Sequence, residues 1–168
     1  MSTNNYIKHQ GPRKNSKYHQ GIIKQECLKK YYDSCRNEPI IYRSGLEYQF
    51  IQFCENSPTV AKWASECLAI PYYSHLDGKQ CNYYPDYVLE NHKGVRCVVE
   101  LKPYNQTVKP DMTDSRWLKE QWVKNVDKWH AAKKYCDEHG LKFMIITEKQ
   151  LFRKRNHANT KKQSKKSS

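Results

Sequence analysis

Apolar residues recur at helical spacing (Leu46, Phe50, Phe53, Cys54) directly after Ser44-Gly45-Leu46-Glu47. That string has the S-x-x-E form of a capping box, so a helix is predicted to open at Ser44 and to stop at Asn56-Ser57-Pro58. A first strand is predicted around residues 65–72, and Asp77-Gly78 signals the turn after it. A second strand is expected over 81–89, with Asn91-His92-Lys93-Gly94 turning it into a third over 95–102. Along the third, Val95, Cys97, Val99 and Leu101 form one face, and Arg96, Val98, Glu100 and Lys102 the other. Leu118, Trp122, Val126, Trp129, Ala132 and Cys136 then mark a long amphipathic helix closed by Gly140, with both tryptophans assigned to the core. Residues 141–147 read as a last apolar strand. The predicted order is α-β-β-β-α-β, an α/β fold.

Composition changes the picture at the ends. Only 38% of the 168 residues are hydrophobic, and the apolar ones concentrate in the middle. The net charge of +13 is unevenly spread: residues 1–40 carry 8 basic and 3 acidic groups, 41–151 carry 15 and 14, and 152–168 carry 7 and none. The expected division is a basic N-terminal arm over 1–40 with a possible short helix over 22–32, a folded domain over 41–151, and a basic, solvated C-terminal tail over 152–168. No run approaches the ~18 apolar residues of a membrane span, and the first residues lack the apolar stretch of a signal peptide, so a soluble intracellular chain without a membrane partner is expected. The seven cysteines are scattered, without a C-x-x-C pair, and are read as free thiols that mostly fill core space.

The chemistry lies in Tyr84-Pro85-Asp86-Tyr87 and Val99-Glu100-Leu101-Lys102-Pro103. If the intervening turn is centred on Lys93, Asp86 lies directly opposite Glu100 in an antiparallel pair. Two close carboxylates repel unless a divalent cation lies between them, and their hard oxygens suit Mg2+ or Mn2+. Lys102 on the same face as Glu100 can orient a water or stabilise developing negative charge, and Glu47 in the helix before can complete the site. Such a constellation cleaves phosphodiesters. Each string alone has an ordinary reading: E-x-K is a common cross-strand pair, Pro85-Asp86 a turn, and Glu47 the acidic half of a capping box. Their joint occurrence favours the site.

Around it, Glu66 is read as an acid supporting the metal ligands from behind or as a strand-end charge, and Arg43 as a phosphate contact or an exposed helix-start residue. Tyr83, Tyr84 and Tyr87 flank Asp86 and either stack on nucleotides or pack. The tail residues Arg153, Lys154, Arg155, Lys161, Lys162, Lys165 and Lys166 can neutralise DNA phosphates by counterion release, or else keep the tail soluble.

The helix glutamate, the P-D string and the E-x-K on the following strand together resemble the PD-(D/E)xK nuclease superfamily. That resemblance implies a restriction-endonuclease-like fold, a central mixed sheet flanked by helices. Tyr42-Arg43-Ser44-x-x-Glu47, Trp63-Ala64-Ser65-Glu66, Ile70-Pro71-Tyr72, Tyr84-x-Asp86, Glu100-Leu101-Lys102-Pro103, Asn125-x-Asp127-Lys128-Trp129-x-Ala131-Ala132 and Gly140-x-Lys142-Phe143 resemble a closer group, the head completion nucleases of T-even-type tailed phages, themselves similar to the N-terminal domain of TnsA-type transposon endonucleases. The resemblance spans residues 41–151. It implies metal ligation by Asp86 and Glu100, the superfamily's lysine at Lys102 and its helix glutamate at Glu47. It further implies a metal-dependent endonuclease acting on double-stranded DNA during head completion, at the portal and neck proteins, located in the virion and in host cytoplasm during assembly. The competing expectations are a non-catalytic neck protein that keeps the nuclease fold, and a transposition or repair nuclease.

Overall fold

The computed structural model describes residues 19–32 and 39–151. The tail and the first 18 residues, with the basic groups predicted there, lie outside the described residues. Two short strands, β1 (Gly21–Ile23) and β2 (Ile40–Tyr42), pair antiparallel and lead into helix α1 (Gly45–Asn56). A four-stranded sheet follows, built from β3 (Val60–Ser65), β6 (Tyr87–Asn91), β7 (Arg96–Leu101) and β8 (Lys142–Ile146) in that spatial order. Between β3 and β6 the chain makes a separate hairpin, β4 (Ile70–Ser74) with β5 (Lys79–Tyr83). Helix α2 (Arg116–Glu138) carries the chain from β7 to β8, which therefore run parallel while the other pairs are antiparallel. With the hairpin set aside, α1-β3-β6-β7-α2-β8 is the expected α-β-β-β-α-β order around a mixed sheet.

The strand predicted over 65–72 meets β3 only at Ser65 and otherwise covers the break after it and the start of β4, and that over 81–89 covers the end of β5 and the start of β6. The first is split at Glu66, whose φ of 47° turns the chain out of β3. The second is split at Tyr84-Pro85-Asp86, since a proline has no N–H to donate to a sheet. Both breaks lie at the same edge of the hairpin, which swings away from the main sheet and packs on α2 instead: Ile70, Tyr72 and Tyr83 form a buried cluster with Ala132. Asp127 of α2 fastens the hairpin turn, accepting from the His75 N–H (2.9 Å) and meeting the His75 ring nitrogen Nδ1 (2.8 Å).

The larger cluster joins Phe50, Ile51 and Cys54 of α1 to Trp63, Tyr87, Val99 and Leu101 of the sheet. Alternation along β7 therefore sends Val99 and Leu101 towards α1 and leaves Val98 and Glu100 for the opposite face.

The possible helix over 22–32 does not form. Gly21–Ile23 is a strand and Gln25–Cys27 a single 3-10 turn. So short an isolated helix is marginal without a partner face, whereas an apolar tripeptide can pair with β2. Glu55 of α1 accepts the backbone N–H groups of Lys29 (2.8 Å) and Lys30 (3.2 Å), and the Lys30 ammonium donates to Ser57 O (2.6 Å). Residues 19–32, assigned from sequence to a free arm, are thus packed against the body. Gly21 is required there, because a Cβ would run into the Tyr42 ring. Trp122 and Trp129 are half-buried rather than central, meeting edge to face at 5.9 Å, while Asn125, Ala132 and Cys136 are the buried residues of α2.

Candidate active site

The β6–β7 pairing runs Tyr87↔Val99, Val88↔Val98, Leu89↔Cys97 and Glu90↔Arg96. That register is centred on Lys93, and one step further sets Asp86 level with Glu100. Asp86 sits just outside β6, in the break made by Pro85, and its Oδ2 accepts the Leu101 N–H at 2.7 Å. The same proline that ends β5 thus frees Asp86 from the ladder and turns its carboxylate onto β7.

Glu100 is 4% exposed, and both of its oxygens are engaged: Oε1 pairs with Lys102 Nζ at 2.9 Å, and Oε2 accepts from Tyr83 Oη at 2.6 Å. Burial and the Glu100 charge push the Asp86 carboxyl well above the ordinary aspartate range, against the opposing pull of the Leu101 N–H and Lys102. Burial depresses the Lys102 ammonium, but Glu100, Asp86 and Glu47 together outweigh it and hold it above the ordinary lysine value.

Glu47 has a double role. Ser44 Oγ caps α1 by accepting the Glu47 N–H at 3.1 Å, and Glu47 Oε2 returns to the Arg43 N–H at 2.8 Å, with Oε1 3.0 Å from Ser44 Oγ. The capping box therefore closes one residue earlier than its usual form. It fixes the Glu47 carboxyl within electrostatic reach of both Asp86 and Lys102. Burial raises the Glu47 carboxyl, and the hydrogen bonds from Arg43 and Ser44 partly offset it.

Glu66 and Arg43 lie beside this group as a pair, Nη1 to Oε1 at 3.0 Å. The Glu66 N–H donates to Asp86 O at 3.0 Å, so the left-handed turn at Glu66 and the break at Asp86 are tied together. A small cavity of about 30 Å³ opens between Arg43, Glu47, Glu66 and Asp86. Asp86, Glu100, Lys102 and Glu47 are thus brought together and Arg43 and Glu66 flank them, while the seven basic tail residues fall outside the described residues.

Of the two readings left open for the tyrosines flanking Asp86, the structure bears out packing for Tyr83 and Tyr87. Tyr83 and Tyr87 do not present faces for nucleotide stacking. Tyr83 is buried with its hydroxyl on Glu100, and Tyr87 is buried against Phe50 and Trp63. Lys128 of α2 lies with its Nζ 5.9 Å from the Tyr83 ring centroid. No local period signals either contact, because hairpin and helix meet only in the tertiary fold.

Around Asp86 stand the carboxyls of Glu47 and Glu100 and the ammonium groups of Lys102 and Lys128, all within electrostatic reach of it. Among the described residues no group of three or more His, Cys, Asp or Glu side chains closes into a metal cage. Asp86 and Glu100, two hard carboxylates, are the residues that could hold a divalent cation, and the Glu100 charge helps to raise the Asp86 carboxyl.

Residues 57–148 match the family described as TnsA-like endonuclease N terminal. The match begins before β3 and ends after β8, and so includes the hairpin, Asp86, Glu100, Lys102 and α2. The head completion nuclease of Enterobacteria phage T4 is 34% identical over 124 residues, which are 67% of this chain and 83% of that protein. With a mixed sheet in the expected order and Asp86, Glu100 and Lys102 gathered where β6 begins and β7 ends, the chain belongs to the TnsA-like endonuclease N-terminal family.

Proposed function

We propose that the chain is a divalent-metal-dependent DNA endonuclease of a tailed phage, acting in head completion after DNA packaging. The observation that carries it is the convergence of Asp86, Glu100 and Lys102 where β6 begins and β7 ends, with Lys102 Nζ 2.9 Å from Glu100 Oε1 and Asp86 Oδ2 on the Leu101 N–H. The relative's name, head completion nuclease, supports the biological setting. By the same reading the protein works at the portal and neck of the virion, on double-stranded DNA.

In this reading Asp86 and Glu100 hold Mg2+ or Mn2+. Bound there, the cation supplies positive charge against the phosphoryl oxygens and acidifies water. Lys102 orients the attacking water and offsets negative charge as the phosphorane-like geometry develops. Tyr83 keeps the Glu100 carboxylate oriented. Glu47, held by the cap, supports the site from α1, and the Arg43–Glu66 pair borders the cavity through which a phosphate approaches. The basic tail residues raise the local concentration of DNA.

One feature favours a scaffold without catalysis: both Glu100 oxygens are already engaged inside the protein. A cleavage assay separates the two. The purified chain should nick or cut plasmid DNA with Mg2+ or Mn2+ and not with EDTA, and Lys102→Ala and Asp86→Asn should each lower cutting by at least about 100-fold with an intact circular dichroism spectrum. Absent metal-dependent cutting, or cutting untouched by both substitutions, refutes the enzymatic reading.

A further inference from the structure

We propose that the groove between the far end of the sheet and the last turns of α2 docks an acidic peptide segment of another protein. The segment seats one bulky apolar side chain in the recess and sets its carboxylates on Arg96 and Lys62. This site does not depend on the nuclease reading, since it lies at the opposite end of β6 and β7 from Asp86 and Glu100.

Strand register builds the site. Lys62, Glu90 and Arg96 are direct partners across β3, β6 and β7, so their side chains stand in one row, and the next row on that face is Ala64, Val88 and Val98. The alternate residues Trp63, Leu89 and Cys97 belong to the α1 side, so the row faces away from α1. On this side α2 packs on β4 and β8. Over the β3–β6 corner that it leaves, a recess of about 340 Å³ opens, with Val88 at its base, Leu68, Tyr135 and Leu141 along its walls and Tyr32 at its edge.

Glu90 serves two cations at once, Arg96 Nε at 3.0 Å and Lys62 Nζ at 3.7 Å, so one negative charge is shared between two positive ones. Both cationic side chains are more than half exposed. Among the described residues Arg96 makes its pair through Nε alone, which leaves the Nη edge of the guanidinium for a carboxylate. His139 stacks on Tyr135 at 4.0 Å and gives its Nδ1 proton to the Tyr135 carbonyl at 2.7 Å, so the helix end offers an aromatic wall. Charge decides the occupant. The chain's own ends do not suit a cationic rim: residues 1–18 hold Lys8, Arg13, Lys14 and Lys17 and no acidic group, and 152–168 hold seven basic groups and no acidic one. A DNA duplex would meet Arg96 and Lys62 with phosphates but has nothing to place in an apolar recess. An acidic segment with an apolar anchor satisfies both, in a site whose tyrosines and arginine are the residue types that anchor protein interfaces.

The test selects binders of the full chain from a library of displayed random peptides at physiological salt and measures the dissociation constant of the enriched peptide by fluorescence anisotropy. Enriched sequences should set Asp or Glu beside a bulky apolar residue. Arg96→Gln and Lys62→Gln, both at exposed side chains, should each weaken that peptide about tenfold with an intact circular dichroism spectrum, and serine in place of its apolar residue should cost at least as much. Amide resonances that move on peptide addition should be those of residues 88–90, 96 and 135–141. Peptides without that pattern, affinity untouched by both substitutions, or shifts confined to other residues overturn the proposal. Two further results also overturn it. If the Gln variants lower the salt slope for a duplex oligonucleotide in EDTA by about 1, the row belongs to a phosphate. If sedimentation shows a dimer that Arg96→Glu abolishes, the occupant is a second copy of the chain.

Discussion

Glu100 is held by two donors of different kinds, an ammonium and a buried phenol. Tyr83→Phe removes the phenol and leaves a carboxylate oxygen facing a phenyl ring in the interior. The expected loss is about 1–3 kcal/mol in chemical denaturation, because a buried acceptor loses its partner without gaining water. Asp86 behaves oppositely. The folded protein holds its proton more tightly than the unfolded chain does, because burial and Glu100 disfavour the charge. Below the ordinary aspartate range both states are protonated and the carboxylate costs nothing. As pH rises from there through the raised folded value, the unfolded chain ionises first and stability falls. In metal-free buffer, the melting temperature should drop across that interval, and Asp86→Asn should flatten the drop. Divalent metal should restore the loss and release protons on binding, measurable by titration calorimetry in buffers of different ionisation enthalpy. A metal-free stability curve identical in wild type and Asp86→Asn would contradict the repulsion.

At the scale of elements, the site depends on where strands stop. Pro85 ends β5 and lets Asp86 leave the ladder, and Glu66 turns β3 outward at the matching position. The β4–β5 hairpin released by these breaks is held on α2 by the Ile70, Tyr72, Tyr83 and Ala132 cluster and by Asp127 at its turn. Since Tyr83 is the last residue of β5, hairpin docking sets the position of the Glu100 donor. Asp127→Ala removes both acceptors of His75. It should cost about 1–3 kcal/mol and speed amide exchange across residues 70–83 more than across β6 and β7. Equal protection in the hairpin would show that the apolar cluster alone holds it. The spacing of α1 and its cap, the β6–β7 turn and the long second helix were all legible in the sequence, since each is set by local period and turn chemistry. The break at Glu66 was not, because nothing in its immediate neighbourhood signals a turn, and Pro85-Asp86 was legible as a turn only when read apart from the strand predicted across it.

For the molecule as a whole, the charge of +13 is a sum over unlike parts, with the terminal segments 1–40 and 152–168 carrying all but about one unit of it. The described body itself includes residues 19–32, tied to α1 through Glu55. Removing the residues after Phe152 deletes seven basic groups and no acidic one. If these engage DNA, truncation should weaken binding and lower its salt slope by several units, at about 0.9 per phosphate contact, while leaving metal-induced stabilisation of the body intact. An unchanged slope would assign the tail to another partner, such as an acidic neck surface.

Local chemistry already encodes the α-β-β-β-α-β order, the capping of α1 by Ser44 and Glu47, and the register of Asp86 against Glu100 about Lys93, because caps, alternation and a short turn act between residues near one another in the chain. Long-range packing set the rest: Tyr83 donates to Glu100, Lys128 lies near that ring, Arg43 is paired with Glu66, and residues 19–32 belong to the body. These contacts join segments whose approach is set by how hairpin, helices and sheet exclude water together, and that packing leaves no period in the sequence to read.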